Sequence, residues 1–167
     1  MNMNHPFSDK PSISSTLRTI TLLSMIGSIL QLIMTVMNFI RAKANYAEAK
    51  ETIGKLQDAN VPAFVRKMVG NPEDYMELMR LSLENKYPIL ILGLLASFLC
   101  LYGVFQMRAL KKQGLPLYIT GELLPFLTMA LFMNGAAFKG LMFYITVLIT
   151  LIFILLYIRE RRCLVND

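Results

Sequence analysis

The chain has 167 residues, of which 55% are hydrophobic and 17% are charged, and its mean hydropathy is +0.50. Because average soluble domains contain about 45–50% apolar and about 25% charged residues, this composition favours the lipid bilayer as the solvent. The net charge of +6 comes from 17 basic and 11 acidic residues. The basic residues form no dense run interleaved with aromatics, so we expect no nucleic-acid partner.

Four stretches are long and apolar enough to cross a bilayer. Charged residues are absent from residues 19–40, 87–107 and 140–158, and residues 113–138 contain a single Glu. Because a hydrocarbon core of about 30 Å needs about 20 helical residues, we predict membrane spans at 19–40, 87–107, 115–133 and 140–158. The predicted fold class is an all-α integral membrane protein, a four-transmembrane-helix bundle, whose membrane domain covers residues 19–158.

The two ends of the chain are predicted to be tails. Residues 1–18 contain two prolines and the single histidine, His5, and show no apolar periodicity. We therefore predict a disordered tail there. Residues 159–167 begin with three arginines in four positions and form a second, basic tail.

Span one carries a polar seam, a row of polar residues at alternating steps of three and four: Thr21, Ser24, Ser28, Gln31, Thr35 and Asn38. This period predicts a left-handed crossing of about +20° with another helix. In lipid, helices associate through small residues and side-chain hydrogen bonds, so Ser28, Gln31 and Asn38 are candidate packing residues. The alternative is the wall of a conduction path. Span two, with small residues from Gly93 to Gly103, is the expected mate.

The connection at 41–86 is predicted to contain two amphipathic helices. Residues 42–57 are rich in Ala, Glu and Lys and can continue span one. Asn71 followed by Pro72 is the pattern of an N-cap with Pro at the first helical position. We therefore predict an amphipathic helical hairpin in the first extracytoplasmic loop, lying on the membrane surface. A solvated connector with marginal helices is the alternative.

Span three contains the one ionisable residue at membrane depth, Glu122. A charge near the bilayer centre costs about 2.5 kcal/mol or more on insertion scales, so Glu122 is a candidate functional residue, expected to face the bundle or a wet crevice. Pro125 frees the carbonyl of Gly121 and adds a helix distortion beside the carboxyl group. The alternative is an interfacial anchor in which Glu122 reaches Arg108 or Lys111.

The distribution of basic residues predicts the topology. Three basic residues lie within 108–112 and three within 159–162, whereas the eight in residues 41–86 are diluted by seven acidic ones. Because dense basic residues favour the cytoplasmic side, both termini are predicted to be cytoplasmic. We expect a multi-pass protein of the plasma membrane.

The sequence contains no constellation for catalysis or cofactor binding. His5 lies in the N-terminal tail, and Cys100 and Cys163 stand apart from each other and from any carboxylate cluster. A Gly-rich phosphate loop is also missing. We therefore predict a protein that is not an enzyme and has no cofactor and no catalytic or metal site.

Two functional hypotheses follow from these features. The first is a non-enzymatic integral membrane protein that acts in assembly or interaction, its partners being the lipid bilayer and either a second copy of the chain or another membrane protein. The alternative is a small oligomeric transporter or channel that uses Glu122 as its proton or ion coupling group. The candidate functional or packing residues are Glu122, Pro125, Gln31, Asn38 and Ser28.

Overall fold

The structure, a computed structural model, describes residues 13–56, 71–138 and 141–164. Within these ranges it is all-helical and contains no strand. The five α-helices are α1 Ser15–Leu56, α2 Pro72–Glu84, α3 Lys86–Arg108, α4 Gly114–Phe132 and α5 Leu141–Glu160, and short 3-10 helices occupy Gly135–Phe138 and Arg161–Cys163. The predicted all-α fold class is confirmed.

Four of the helices, α1, α3, α4 and α5, are long and apolar enough to cross a membrane, in agreement with the four predicted spans. Their outer faces expose large apolar side chains, including Leu30, Leu95 and Leu155, which are 55%, 47% and 63% exposed. Apolar surfaces of this extent are unusual on proteins that are surrounded by water.

The start of α1 differs from the tail predicted for residues 1–18. Ser14 caps the helix, because its Oγ accepts a hydrogen bond from the Leu17 amide at 3.1 Å. Residues 15–18 are therefore helical, and Leu17 is fully buried. The capping serine and the buried leucine together explain why the helix begins earlier than the apolar stretch. Residues 1–12 lie outside the described part of the chain.

The loop predicted at 41–86 contains the end of α1 and all of α2. With 42 residues, α1 is about 60 Å long, about twice the thickness of a hydrocarbon core. Its outer part packs against α2 and buries Ala42 and Ala49. Asn71 is the N-cap of α2, with its Oδ1 accepting from the Glu73 amide at 3.3 Å. Residues 57–70, which connect the two predicted helices, are not described.

The most extensive helix pair is α3 with α4, and glycine makes its close approach possible. A Cβ atom built on Gly121 would lie 2.6 Å from the Cys100 Sγ and 2.8 Å from the Cys100 backbone nitrogen. A Cβ atom built on Gly103 would lie 2.6 Å from the Tyr118 backbone nitrogen. At these two positions a side chain would push the two backbones apart.

The small residues of span two therefore serve two partners. Gly93 meets Thr35 of the polar seam, as predicted. Gly103 and Cys100 instead meet α4, so the prediction that the whole small face packs against span one is wrong for these two residues. The reason is that α4 offers glycines of its own at the crossing, which allow a closer contact than the seam does.

Helix α5 is the least buried of the four candidate spans. In the apolar stretch of α5, 11% of the residues are buried, whereas 22% to 28% are buried in the apolar stretches of the other three candidate spans. One of its attachments is at its end, where the Ser14 Oγ donates a hydrogen bond to the Glu160 Oε2 at 2.7 Å. The start of α1 and the end of α5 therefore lie side by side, and we call this end of the bundle the terminal side and the opposite end the loop side.

The apolar core is concentrated on the terminal side. It is formed by the start of α1, the end of α3, the start of α4 and the end of α5, together with the residue that follows the second 3-10 helix. Its buried members are Leu17, Ile20, Cys100, Val104, Met107, Leu110, Leu115, Tyr118, Tyr157 and Leu164. Beyond this core, toward the loop side, the helices leave two crevices between them.

Candidate functional site

Glu122 lies near the middle of α4, about 12 Å along the helix axis from Gly114. Its side chain is half-buried and faces the bundle interior, as expected from the sequence. The hydroxyl groups of Tyr118 and Thr150 are polar neighbours of the carboxyl group. The Cys100 thiol donates a hydrogen bond to the Glu122 Oε1, at 3.9 Å. Residues of three helices, α3, α4 and α5, therefore converge on one carboxyl group.

Three buried hydroxyl groups extend this site toward the terminal side. The Tyr157 hydroxyl donates to the Ser24 Oγ at 2.8 Å, and the Ser24 Oγ donates to the Tyr118 hydroxyl at 3.3 Å. Tyr157, Ser24 and Tyr118 are only 1%, 5% and 2% exposed. The two tyrosine rings are 4.7 Å apart between their centroids. These bonds form a single network that connects α1, α4 and α5, and its Tyr118 end lies beside Glu122.

A first crevice, which we call the carboxyl crevice, lies beside Glu122 between α1, α4 and α5. Its volume is about 240 Å³, enough for several water molecules at about 30 Å³ each. Its polar lining consists of Ser24, Ser28, Gln31, Tyr118, Glu122, Thr146 and Thr150. Leu23, Ile149 and Phe153 contribute apolar walls.

A second crevice, the loop-side crevice, lies between α1, α3 and α4 and has a volume of about 260 Å³. Gln31, Thr35, Asn38, Pro125 and Thr128 are among its lining residues. Gln31 also lines the carboxyl crevice, so the two crevices adjoin at its side chain.

A lysine side chain lies at the loop-side end of this crevice. Lys86, at the start of α3, is one of the lining residues. Its Nζ lies 5.7 Å from the ring centroid of Phe39 and 5.1 Å from that of Tyr87. Such cation–π contacts hold a lysine side chain in place without neutralising its charge.

The five residues singled out by the sequence all line these crevices. Ser28, Gln31 and Glu122 line the carboxyl crevice, and Gln31, Asn38 and Pro125 line the loop-side crevice. Pro125 lies inside α4, which continues through it to Phe132. The structure thus brings the seam of α1 and the Glu122 region of α4 to one interior space.

The seam makes few of the hydrogen bonds between helices that its pattern predicts. Thr21, Ser28 and Thr35 each donate to the carbonyl four residues earlier in α1, at 2.8 Å. Ser24, by contrast, makes side-chain hydrogen bonds to two other helices, through Tyr118 of α4 and Tyr157 of α5. Because a helical Ser or Thr can bond its own backbone, its hydroxyl group is available to line a space instead of joining two helices.

Burial along the seam changes from one end to the other. Thr21, Ser24 and Ser28 are 0%, 5% and 3% exposed, whereas Gln31 and Thr35 are half-buried and Asn38 is exposed. The same row of residues is therefore sealed at the terminal side and open at the loop side.

The surroundings of Glu122 differ from those of an interfacial anchor. Within the described ranges no salt bridge joins its carboxyl group to a basic side chain. Arg108, one of the expected partners, directs its Nη1 to the Met25 Sδ at 3.8 Å. The middle of α4 is too far along the helix for the basic residues at its start.

Sequence reasoning missed most of the network around Glu122. Tyr118 lies one helical turn before Glu122, and this i, i+4 spacing was a usable signal. Thr150 and Tyr157 share a face of α5, but nothing in the sequence indicates that this face meets the carboxyl group.

The chain matches no protein-family model, no curated protein and no solved structure. Chemically, the site offers one carboxylate among hydroxyl and thiol donors, beside a space large enough for water. Such a group can take up and release a proton or hold a cation.

Proposed function

We propose that the protein is a multi-pass integral membrane protein that acts as a small oligomeric transporter or channel, with Glu122 as its proton or ion coupling group. The observation that carries this proposal is the position of the Glu122 carboxylate. It lies midway along a candidate span, has polar neighbours on α4 and α5, and opens on the carboxyl crevice. Ionisable groups are expensive at this depth, and transport sites are commonly found there.

The difference in packing between the terminal side and the loop side of the bundle supports the same proposal. The terminal side is closed by the apolar core, whereas the loop side contains a crevice that adjoins the carboxyl crevice at Gln31. A site that is accessible from one side and sealed on the other is what alternating access requires of one of its states. In the proposed topology both termini are cytoplasmic and the crevice opens toward the outside of the plasma membrane.

The second candidate function is non-enzymatic assembly with a second copy or another membrane protein. One observation favours it: the outer part of α1 and α2 form a packed helical pair beyond the apolar part of the bundle. A surface crevice of about 300 Å³ lies on this pair, lined by Tyr46, Met76, Glu77 and Arg80. In this proposal the pair is an extracytoplasmic amphipathic hairpin that offers a partner apolar and charged contacts.

The two candidates are separated by ion flux in proteoliposomes. The purified protein and its Glu122→Gln variant are reconstituted, and proton, sodium and potassium fluxes are measured with internal dyes after a gradient is imposed. We expect a flux in the wild type that Glu122→Gln lowers about tenfold or more, because the amide cannot exchange a proton or balance a cation. Glu73→Gln, at an exposed position in the first turn of α2, is the matched control and should leave the flux unchanged.

A wild-type flux no greater than that of empty liposomes, or one that Glu122→Gln leaves intact, would contradict the transport proposal. Recovery of one stoichiometric partner from the native membrane, dependent on the face formed by Tyr46 and Met76, would then favour assembly.

A further inference from the structure

The hydroxyl groups on the terminal side of Glu122 form a row that ends beside the carboxyl group. The Tyr157 hydroxyl bonds the Ser24 Oγ at 2.8 Å, the Ser24 Oγ bonds the Tyr118 hydroxyl at 3.3 Å, and Tyr118 lines the carboxyl crevice together with Glu122. Each hydroxyl oxygen can donate one hydrogen and accept another, so such a row can pass a proton from group to group.

We propose that Tyr157, Ser24 and Tyr118 are a proton relay between the terminal side of the bundle and Glu122, so that the coupled ion is a proton. This inference rests on the proposed transport function and adds to it the identity of the ion and one of its two routes. In the terms of that function, the crevices provide access from the loop side and the relay provides access from the terminal side.

The transfer is balanced along the row. Glu122 takes the hydrogen of Tyr118, Tyr118 takes that of Ser24, Ser24 takes that of Tyr157, and Tyr157 recovers one from water at the terminal side. One proton has then moved and every hydroxyl group has its hydrogen again. The hydroxyl groups now point the other way, so each must rotate before the next transfer.

The groups around Glu122 favour a proton over a metal cation. A hard cation needs several oxygen ligands, and transporters often supply them from unwound backbone. Here the neighbours of the carboxyl group, Tyr118, Thr150 and Cys100, are side chains that can donate a hydrogen, and α4 is helical through Glu122. No group of three or more His, Cys, Asp or Glu side chains that could hold a metal ion occurs in the described residues.

The other titratable groups near the relay are few. Helix α3 contributes the Cys100 thiol, α4 contributes Tyr118, and α5 contributes Tyr157. Helix α1 contributes only uncharged side chains to the carboxyl crevice. Glu122 is therefore the one carboxyl group among the residues that line this crevice, and a proton that leaves the row has a single acceptor there.

The burial of these three hydroxyl groups indicates that they have a role besides packing. A buried hydroxyl group that lacks a partner costs about 1–3 kcal/mol, so an apolar core is built more simply from Phe and Ala at such positions. Tyr118 and Tyr157 belong to the apolar core, with Leu17 and Leu164 in the same cluster. These apolar neighbours also close the terminal end of the row, which must admit water once in each cycle. Helix α5, the least buried span, is the element that can move to allow it.

Two variants remove one hydroxyl group each with little change of shape: Tyr157→Phe and Ser24→Ala. Tyr144→Phe is the matched control, because Tyr144 is on the same helix as Tyr157 and is 61% exposed. Proton and sodium fluxes are measured in parallel in proteoliposomes, normalised to folded protein. We expect the two relay variants to lower the proton flux about tenfold or more. Tyr144→Phe should leave the flux unchanged. Ser24→Thr, which keeps the hydroxyl group, should retain most of it.

The outcomes distinguish the relay from the function on which it rests. A proton flux that is lost in Glu122→Gln but unchanged in both Tyr157→Phe and Ser24→Ala overturns the relay and leaves transport standing. A sodium flux that needs Glu122 without any proton flux does the same. A wild type without any flux that depends on Glu122 overturns both. Loss of flux in Ser24→Thr as great as in Ser24→Ala assigns Ser24 to packing and also overturns the relay.

Discussion

Replacement of Gly121 by alanine tests whether the close α3–α4 crossing stabilises the bundle. The new Cβ atom would lie 2.6 Å from the Cys100 Sγ, 2.8 Å from the Cys100 nitrogen and 2.9 Å from the Ala96 oxygen, whereas ordinary contacts begin at 3.4 Å. Two of these three atoms belong to the backbone and cannot rotate away from the new methyl group. A packed interior has no free space to absorb the group, so the two helices must separate by about 0.6 Å to remove the overlap.

The expected loss of stability follows from two opposing effects. Overpacking a close contact costs about 1–3 kcal/mol. Alanine is a better helix former than glycine and returns up to about 1 kcal/mol. With the full gain from helix propensity, Gly121→Ala should therefore lower the free energy of unfolding by up to about 2 kcal/mol. Because Gly121 precedes Glu122 in the chain, the same separation should also weaken the contact between Cys100 and the carboxyl group.

Gly27→Ala is the matched control, because a Cβ atom at Gly27 meets nothing within 4 Å. It should leave stability unchanged or raise it slightly. Both variants are compared by circular dichroism during unfolding in mixed micelles with increasing amounts of a denaturing detergent. An equal loss in the two variants would refute the packing argument, because a Cβ atom at Gly27 makes no close contact.

Two further predictions concern the seam and the topology. Ser28→Leu should destabilise the bundle by about 1–3 kcal/mol, because Ser28 is 3% exposed and the larger side chain overpacks its surroundings. Leu30→Ala should be nearly silent, because Leu30 is 55% exposed. The same unfolding assay checks both variants, and a larger effect at Leu30 would contradict the assignment of faces. With a membrane-impermeant thiol reagent, Cys163 should react only from the cytoplasmic side and Tyr46→Cys only from the outside, and the reverse pattern would overturn the topology.

The seam of α1 shows how far the sequence could predict the site. Its period correctly identified one face, and that face does line the interior from Ser24 to Asn38. The period could not predict that Thr21, Ser28 and Thr35 bond their own helix. A repeat along one helix reports which residues share a side, but not how close the neighbouring helix comes.

The same limit explains the helix partners. Composition and length sufficed to predict four long apolar helices, because each needs only its own residues. The division of the small face of α3 between Thr35 and Gly121 depends on the relative position of three helices. The contact of Tyr157 with Ser24 joins residues at opposite ends of the chain, and no local pattern encodes it.

The length of α1 gives the bundle a mechanical lever. Its start is held in the apolar core by Leu17, and its far end at Leu56 is about 60 Å away along the axis. A tilt of about 10° about the start would move Leu56 by about 10 Å but Gln31 by only about 4 Å. A partner that pulled weakly on the outer arm would thus exert a larger force at Gln31, where the two crevices adjoin. In the proposed topology, a partner bound near Leu56 would in this way set the width of the space beside Glu122.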